Sequence, residues 1–128
     1  MTQRYSSGTV WEREIQYSRA VRRGAHVFVS GTTAMDGERL VGGSDAAAQT
    51  RFVFRKIKTA LQAVGAGLPD VVRTRMYITD ARDADAVTSV HAQVFDGICP
   101  CATLLVVKGF ISPELLVEVE VDALIEEP

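Results

Sequence analysis

Two segments of this chain alternate so strictly that they fix the kind of sheet it must build. Between Leu115 and Ala123, Val117, Val119 and Val121 alternate with Glu118, Glu120 and Asp122. Between Val71 and Thr79, Val72, Thr74, Met76 and Ile78 alternate with Arg73, Arg75, Tyr77 and Thr79. A period of two is the signature of a β-strand, whose successive side chains point to opposite faces. Strands of this kind give a sheet with one apolar face that needs covering. The other face carries acids on one strand and arginines on its neighbour.

Two helices are available to cover the apolar face. Ser44 and Asp45 supply a helix start, and Val53, Ile57, Leu61 and Val64 recur at helical spacing until Gly65 and Gly67. A second, shorter helix runs from about Asp83 to Phe95, with Val87, Val90 and Val94 as its stripe and Gly97 as its stop. The remaining strands are Ile15 to Val21, His26 to Gly31, a short edge strand at Arg39 to Val41, and Thr103 to Phe110. The first two form a hairpin around Gly24, with Ile15, Tyr17, Arg19 and Val21 on one face of the first. The expected order β-β-(β)-α-β-α-β-β describes an α+β fold, a mixed sheet with two helices on one face. No helix is left for the charged face. That face is either solvated or packed against other copies around a symmetry axis.

A length of 128 residues with 47% hydrophobic side chains fits one domain, residues 1–128. The formal net charge of −2 offers no electrostatic footprint for nucleic acid. No apolar run reaches the roughly 18 residues of a membrane helix. The segment from Met1 to Val10 is polar, unlike a signal peptide, so the cytoplasm is the expected compartment and no membrane partner is expected. Cys99 and Cys101 have neither CxxC spacing nor companion ligands, and read as buried or half-buried thiols at a strand start. His26 and His91 have no third ligand at useful spacing, and there is no GxGxxG or phosphate loop. Neither a metal nor a cofactor is expected.

Four stretches taken together resemble the RidA/YjgF family: YSRAVRRGAHVFVSGTTA (17–34), VVRTRMYITD (71–80), PCATLLVVKGF (100–110) and PELLVEVEVDA (113–123). The resemblance runs from about residue 15 to the end. It implies a chorismate-mutase-like sheet with two helices on one face. It also implies a homotrimer whose uncovered sheet faces form a central barrel, with ligand clefts between subunits. The activity implied is cofactor-free hydrolysis of reactive enamines and imines, such as 2-aminoacrylate, to 2-oxo acids and ammonia.

The family's working positions fall on Tyr17, on Gly31, whose backbone lines the cleft, and on Glu118, which would position the attacking water. The arginine that grips the substrate carboxylate in the deaminases is replaced by Ala102, and a cysteine two residues later by Leu104. A guanidinium gives charge-assisted hydrogen bonds worth roughly 1.5–3 kcal/mol each, and alanine gives none. The chain therefore resembles a divergent branch lacking the carboxylate-binding arginine.

Each candidate also has a structural reading. Glu118 either activates water or pairs with Arg73 or Arg75. Tyr17 either bonds a ligand or fills an interface. Arg75 either anchors an anion or forms a salt bridge, and Thr103 either donates to a ligand or is an ordinary strand threonine. At the level of function, a hydrolase using Glu118 stands beside a ligand-binding or regulatory trimer without chemistry. A third reading, RNA cleavage or inhibition of translation, follows an older family label and lacks a basic, aromatic-bearing surface.

Overall fold

The computed structural model describes residues 1–126. A six-stranded sheet has the order β1-β2-β3-β8-β6-β7. Its strands are β1 (Thr2–Tyr5), β2 (Ala20–Arg23), β3 (His26–Thr32), β6 (Val71–Ile78), β7 (Cys101–Val106) and β8 (Val117–Leu124). The short strands β4 (Met35–Asp36) and β5 (Arg39–Leu40) form a separate ribbon. All neighbours in the main sheet are antiparallel except β6 and β7, which the helix α3 (Ala84–Val94) joins in parallel. From β2 onward, the mixed sheet and its chain order are those expected from the sequence.

Helix α2 (Ala46–Ala63) begins where Asp45 caps it, its carboxylate accepting the N–H groups of Ala47 and Ala48 at 3.0 and 3.2 Å. Its buried stripe of Val53, Phe54, Ile57 and Leu61 meets Val87 and Val90 of α3, and Val117, Val119 and Val121 of β8. Each such aliphatic side chain contributes about 1.5–3 kcal/mol on leaving water. Gln49 is fully buried among them. Its amide donates to the carbonyls of Gly43 and Glu114 at 2.8 and 2.9 Å and accepts the Leu116 N–H at 2.9 Å. This side chain fastens α2 to the loop that leads into β8.

Three expectations need correction. Ile15 to Val21 is not one strand. A short helix, α1 (Val10–Ile15), occupies its beginning, Gln16 ends that helix at φ 69°, and β2 starts only at Ala20. Ahead of α1, β1 extends the sheet beyond β2. Val72 does not lie under the helices: a bulge between Val71 and Arg73 turns it outward to 47% exposure. Cys99 and Cys101 are both exposed in the single chain, because β7 is the sheet's edge. Among the described residues, no helix is long and apolar enough to cross a membrane.

Candidate functional site

The charged face of the sheet is built by register. Tyr77 lies opposite Glu118, Arg75 opposite Glu120 and Arg73 opposite Asp122. Diagonal contacts then use most of the polar groups. Arg75 Nη1 meets Asp122 Oδ2 at 3.2 Å, and the Tyr77 hydroxyl donates to Glu120 Oε1. That short hydrogen bond, with burial, raises the Tyr77 phenol above its usual range. Arg75 therefore serves as a salt-bridge partner of Asp122.

Glu118 is different. It is half-buried, and among the described residues no ion pair joins it to a basic side chain. Burial pushes its carboxyl upward, the Arg19 charge pulls it back, and the Glu120 charge pushes it up again, leaving it raised overall. It faces a recess of about 370 Å³ shared with Gly31, Tyr77, Glu120, Val107, Gly109 and Phe110.

Gly31 reaches this recess through a second irregularity. Val29 lies opposite Val121 and Thr32 opposite Val119, so β3 spends two residues, Ser30 and Gly31, where β8 spends one. The bulge presses the Gly31 backbone against Glu118. A Cβ built at residue 31 would overlap Glu118 Oε2 and lie 3.0 Å from its Cδ.

Tyr17 does not line the recess; it is connected to it through Arg19. The buried Arg19 guanidinium donates from Nη1 to the Gly31 carbonyl at 2.6 Å and from Nη2 to the Tyr17 hydroxyl at 3.1 Å. Its Nε lies 3.7 Å from Glu12 Oε2. Glu12, also buried, accepts from the hydroxyls of Ser6, Ser7 and Thr9 and from the Ser7 N–H. Burial opposes its charge, but those donors outweigh it and hold the carboxyl below its usual range. Neither Arg19 nor Glu12 stood out in sequence. The one signal was an arginine on an otherwise core-facing stretch, and the helix that supplies Glu12 was not anticipated.

Ala102 and Thr103 lie on the exposed edge strand β7, away from the recess. Ala102 sits beside Thr74, on the helix side of the sheet, whereas Glu118 sits beside Tyr77 on the other side. Thr103 lies beside Arg75, on the same face as Glu118 but on the far side of β6. One chain thus brings Gly31 and Glu118 together, links Tyr17 to them, and leaves Ala102 and Thr103 apart.

His91 packs against Phe54 and Phe95, and its Nε2 lies 2.8 Å from Thr74 Oγ1. Burial lowers its proton affinity. It is a satisfied histidine of α3, facing the sheet and α2. Among the described residues, no three histidine, cysteine or acidic side chains gather as metal ligands.

The family profile described as Endoribonuclease L-PSP matches residues 11–125. The crystal structure of Rv2704 from Mycobacterium tuberculosis, a member of the YjgF/YER057c/UK114 family, has 46% sequence identity. It superposes with a TM-score of 0.90 over 98% of this chain and 100% of that one. RidA from an Antarctic Psychrobacter species shares 31% identity over 85% of this chain and 88% of its own, with a TM-score of 0.78. A Streptomyces coelicolor protein, the uncharacterised SCO2049, is 43% identical over 120 residues, covering 94% of this chain and 90% of that protein.

Proposed function

Because the chain belongs to the Endoribonuclease L-PSP family, which also carries the YjgF and Rid names, we propose that it hydrolyses an imine, enamine or related small molecule without a cofactor. The observation that carries this reading is the half-buried Glu118 carboxylate, which no basic side chain pairs with among the described residues, facing a recess walled by the Gly31 backbone. A carboxylate so placed can take a proton from a water that attacks the sp² carbon of a C=N bond. It can then return that proton to nitrogen. The carboxylate next takes the hydroxyl proton of the resulting carbinolamine and passes it to the amino nitrogen, so the C=O bond forms as the C–N bond breaks, and a carbonyl compound and ammonia leave.

The protein works as a homotrimer in this account. The uncovered face carries Phe28, Leu105 and Leu124 at 50, 52 and 44% exposure beside its charged pairs, more apolar surface than a solvated sheet face needs. Because Ala102 and Glu118 lie on opposite faces of one sheet, a ligand touching both positions requires two subunits. Ala102 offers such a ligand no cation, so a small imino acid is not the preferred substrate.

That same absence favours a second reading, a trimer that binds a small ligand without chemistry. RNA has the least support. The recess presents Glu118 and Glu120, not a basic side chain, to an incoming phosphate.

Ammonia release from imines generated in situ by an amino-acid oxidase tests the proposal. Acceleration over spontaneous hydrolysis for at least one imine class is expected. Specific ligand binding with no acceleration for any class would favour the second reading.

A further inference from the structure

We propose that Arg19 is the positioning residue of the Glu118 recess: its guanidinium holds the Gly31 carbonyl and the Tyr17 hydroxyl from behind the wall, and Glu12 holds the guanidinium. The inference rests on the reading of that recess as a ligand site.

The β3 bulge frees the Gly31 carbonyl from the regular strand ladder. Arg19 Nη1 takes up that carbonyl at 2.6 Å and the Thr32 hydroxyl at 3.2 Å. The Nη2 arm reaches the Tyr17 hydroxyl at 3.1 Å, while the guanidinium carbon stands 5.5 Å from the centroid of the same ring. A planar fork can hold the bulge and the tyrosine at fixed separation, which a single ammonium cannot. Lys56 takes the carbonyls of Thr33 and Met35, just beyond the bulge, and does not compete.

Arg19 is itself fixed from the other side. Its Nε is buried without a hydrogen-bond partner among the described residues, 3.7 Å from Glu12 Oε2. A buried donor left in this state is unfavourable. The residue is kept here by what its two other nitrogens hold and by its charge. Arg19 is the cation that acts on Glu118; Glu120 on its own strand and Tyr77 on β6 are the other titratable groups facing it. With Glu120 adding negative charge and burial opposing ionisation, Arg19 is what favours the carboxylate form.

Carboxyl-carbon NMR titration of Glu118 tests this without a substrate, in the unmutated protein and in the variants Arg19→Gln and Arg19→Lys. In Arg19→Gln the Glu118 midpoint is expected to move to higher pH. In Arg19→Lys the charge remains, so the midpoint stays close to that of the unmutated protein, while the amide signals of Tyr17 and Gly31 shift as the fork is lost. A folded Arg19→Gln variant with an unmoved midpoint would overturn the proposal. So would a midpoint in Arg19→Lys that moves as far as in Arg19→Gln. Should Arg19→Gln fail to fold, the Arg19 Nη signals of the unmutated protein decide: they follow the Glu118 titration if the proposal holds, and stay flat if it does not. Absence of hydrolytic activity would count against the proposed function and leave this result untouched.

Discussion

Glu118 Oε2 occupies the space that a Cβ on residue 31 would need. Its φ lies outside the left-handed region, so the close approach of Glu118, and not backbone conformation, is what calls for glycine here. The obstructing atom is the far end of a flexible side chain, so Gly31→Ala can fold by pushing the carboxylate aside. We expect Gly31→Ala to melt within a few degrees of the unmutated protein while losing ligand binding and turnover at the recess. Calorimetry beside an activity assay checks this. Full activity in the folded variant would show that the carboxylate need not sit against residue 31.

Gln49 should matter for stability alone. Replacing it with leucine keeps the volume but leaves the carbonyls of Gly43 and Glu114 and the Leu116 N–H, all partly buried, without this partner. Each unpaired buried group costs about 1–3 kcal/mol. Water can reach the exposed Gly43 and Glu114 and offsets part of that, so Gln49→Leu should lose about 1–3 kcal/mol in denaturant unfolding. A loss below 1 kcal/mol would mean that the loop before β8 is not held by this side chain.

Glu118 also makes a prediction about pH. Its folded-state carboxyl is raised above 4.5, so ionisation is penalised in the folded state. The penalty is absent below about 4.5, develops as pH rises through the folded value, and is complete above it. Glu118→Gln removes it. At neutral pH the variant should melt at or above the temperature of the unmutated protein, and the difference should close as pH falls toward 4.5. A lower Tm at neutral pH would instead mark Glu118 as a stabilising ion-pair partner.

Position 102 tests the specificity argument. Activity on 2-aminoacrylate should be low, and Ala102→Arg should strengthen binding of 2-oxo acids about tenfold or more, since a charge-assisted hydrogen bond is worth roughly 1.5–3 kcal/mol. The gain should accompany the trimer in light scattering, because one chain keeps position 102 and Glu118 on opposite faces. An equal gain in a monomeric fraction would contradict the two-subunit cleft.

The parts of the fold legible in sequence were those governed by repetition. The alternation in Val117 to Asp122 and the helical spacing of Val53, Ile57 and Leu61 survive as β8 and α2. What escaped was irregular. The bulge at Ser30 and Gly31 breaks the period of two, as does the one that turns Val72 outward; the glycine is a signal for the first, and no local composition marks the second. Tyr17 and Glu12 lie around a helix end at Gln16, where an apparent strand pattern concealed a change of element. Of the site, Gly31 and Glu118 could be placed from motif resemblance. Arg19 could not, because its contacts depend on that bulge and on a carboxylate from α1.

The most direct test of the whole account is ammonia release by Glu118→Gln, measured on protein confirmed as trimeric, with whichever imine the unmutated protein hydrolyses. The amide is close in shape but cannot take a proton from water. Turnover should fall to the spontaneous rate while the assembly and ligand binding persist. A stable trimer that keeps full turnover without this carboxylate would contradict the account and remove Glu118 from the mechanism.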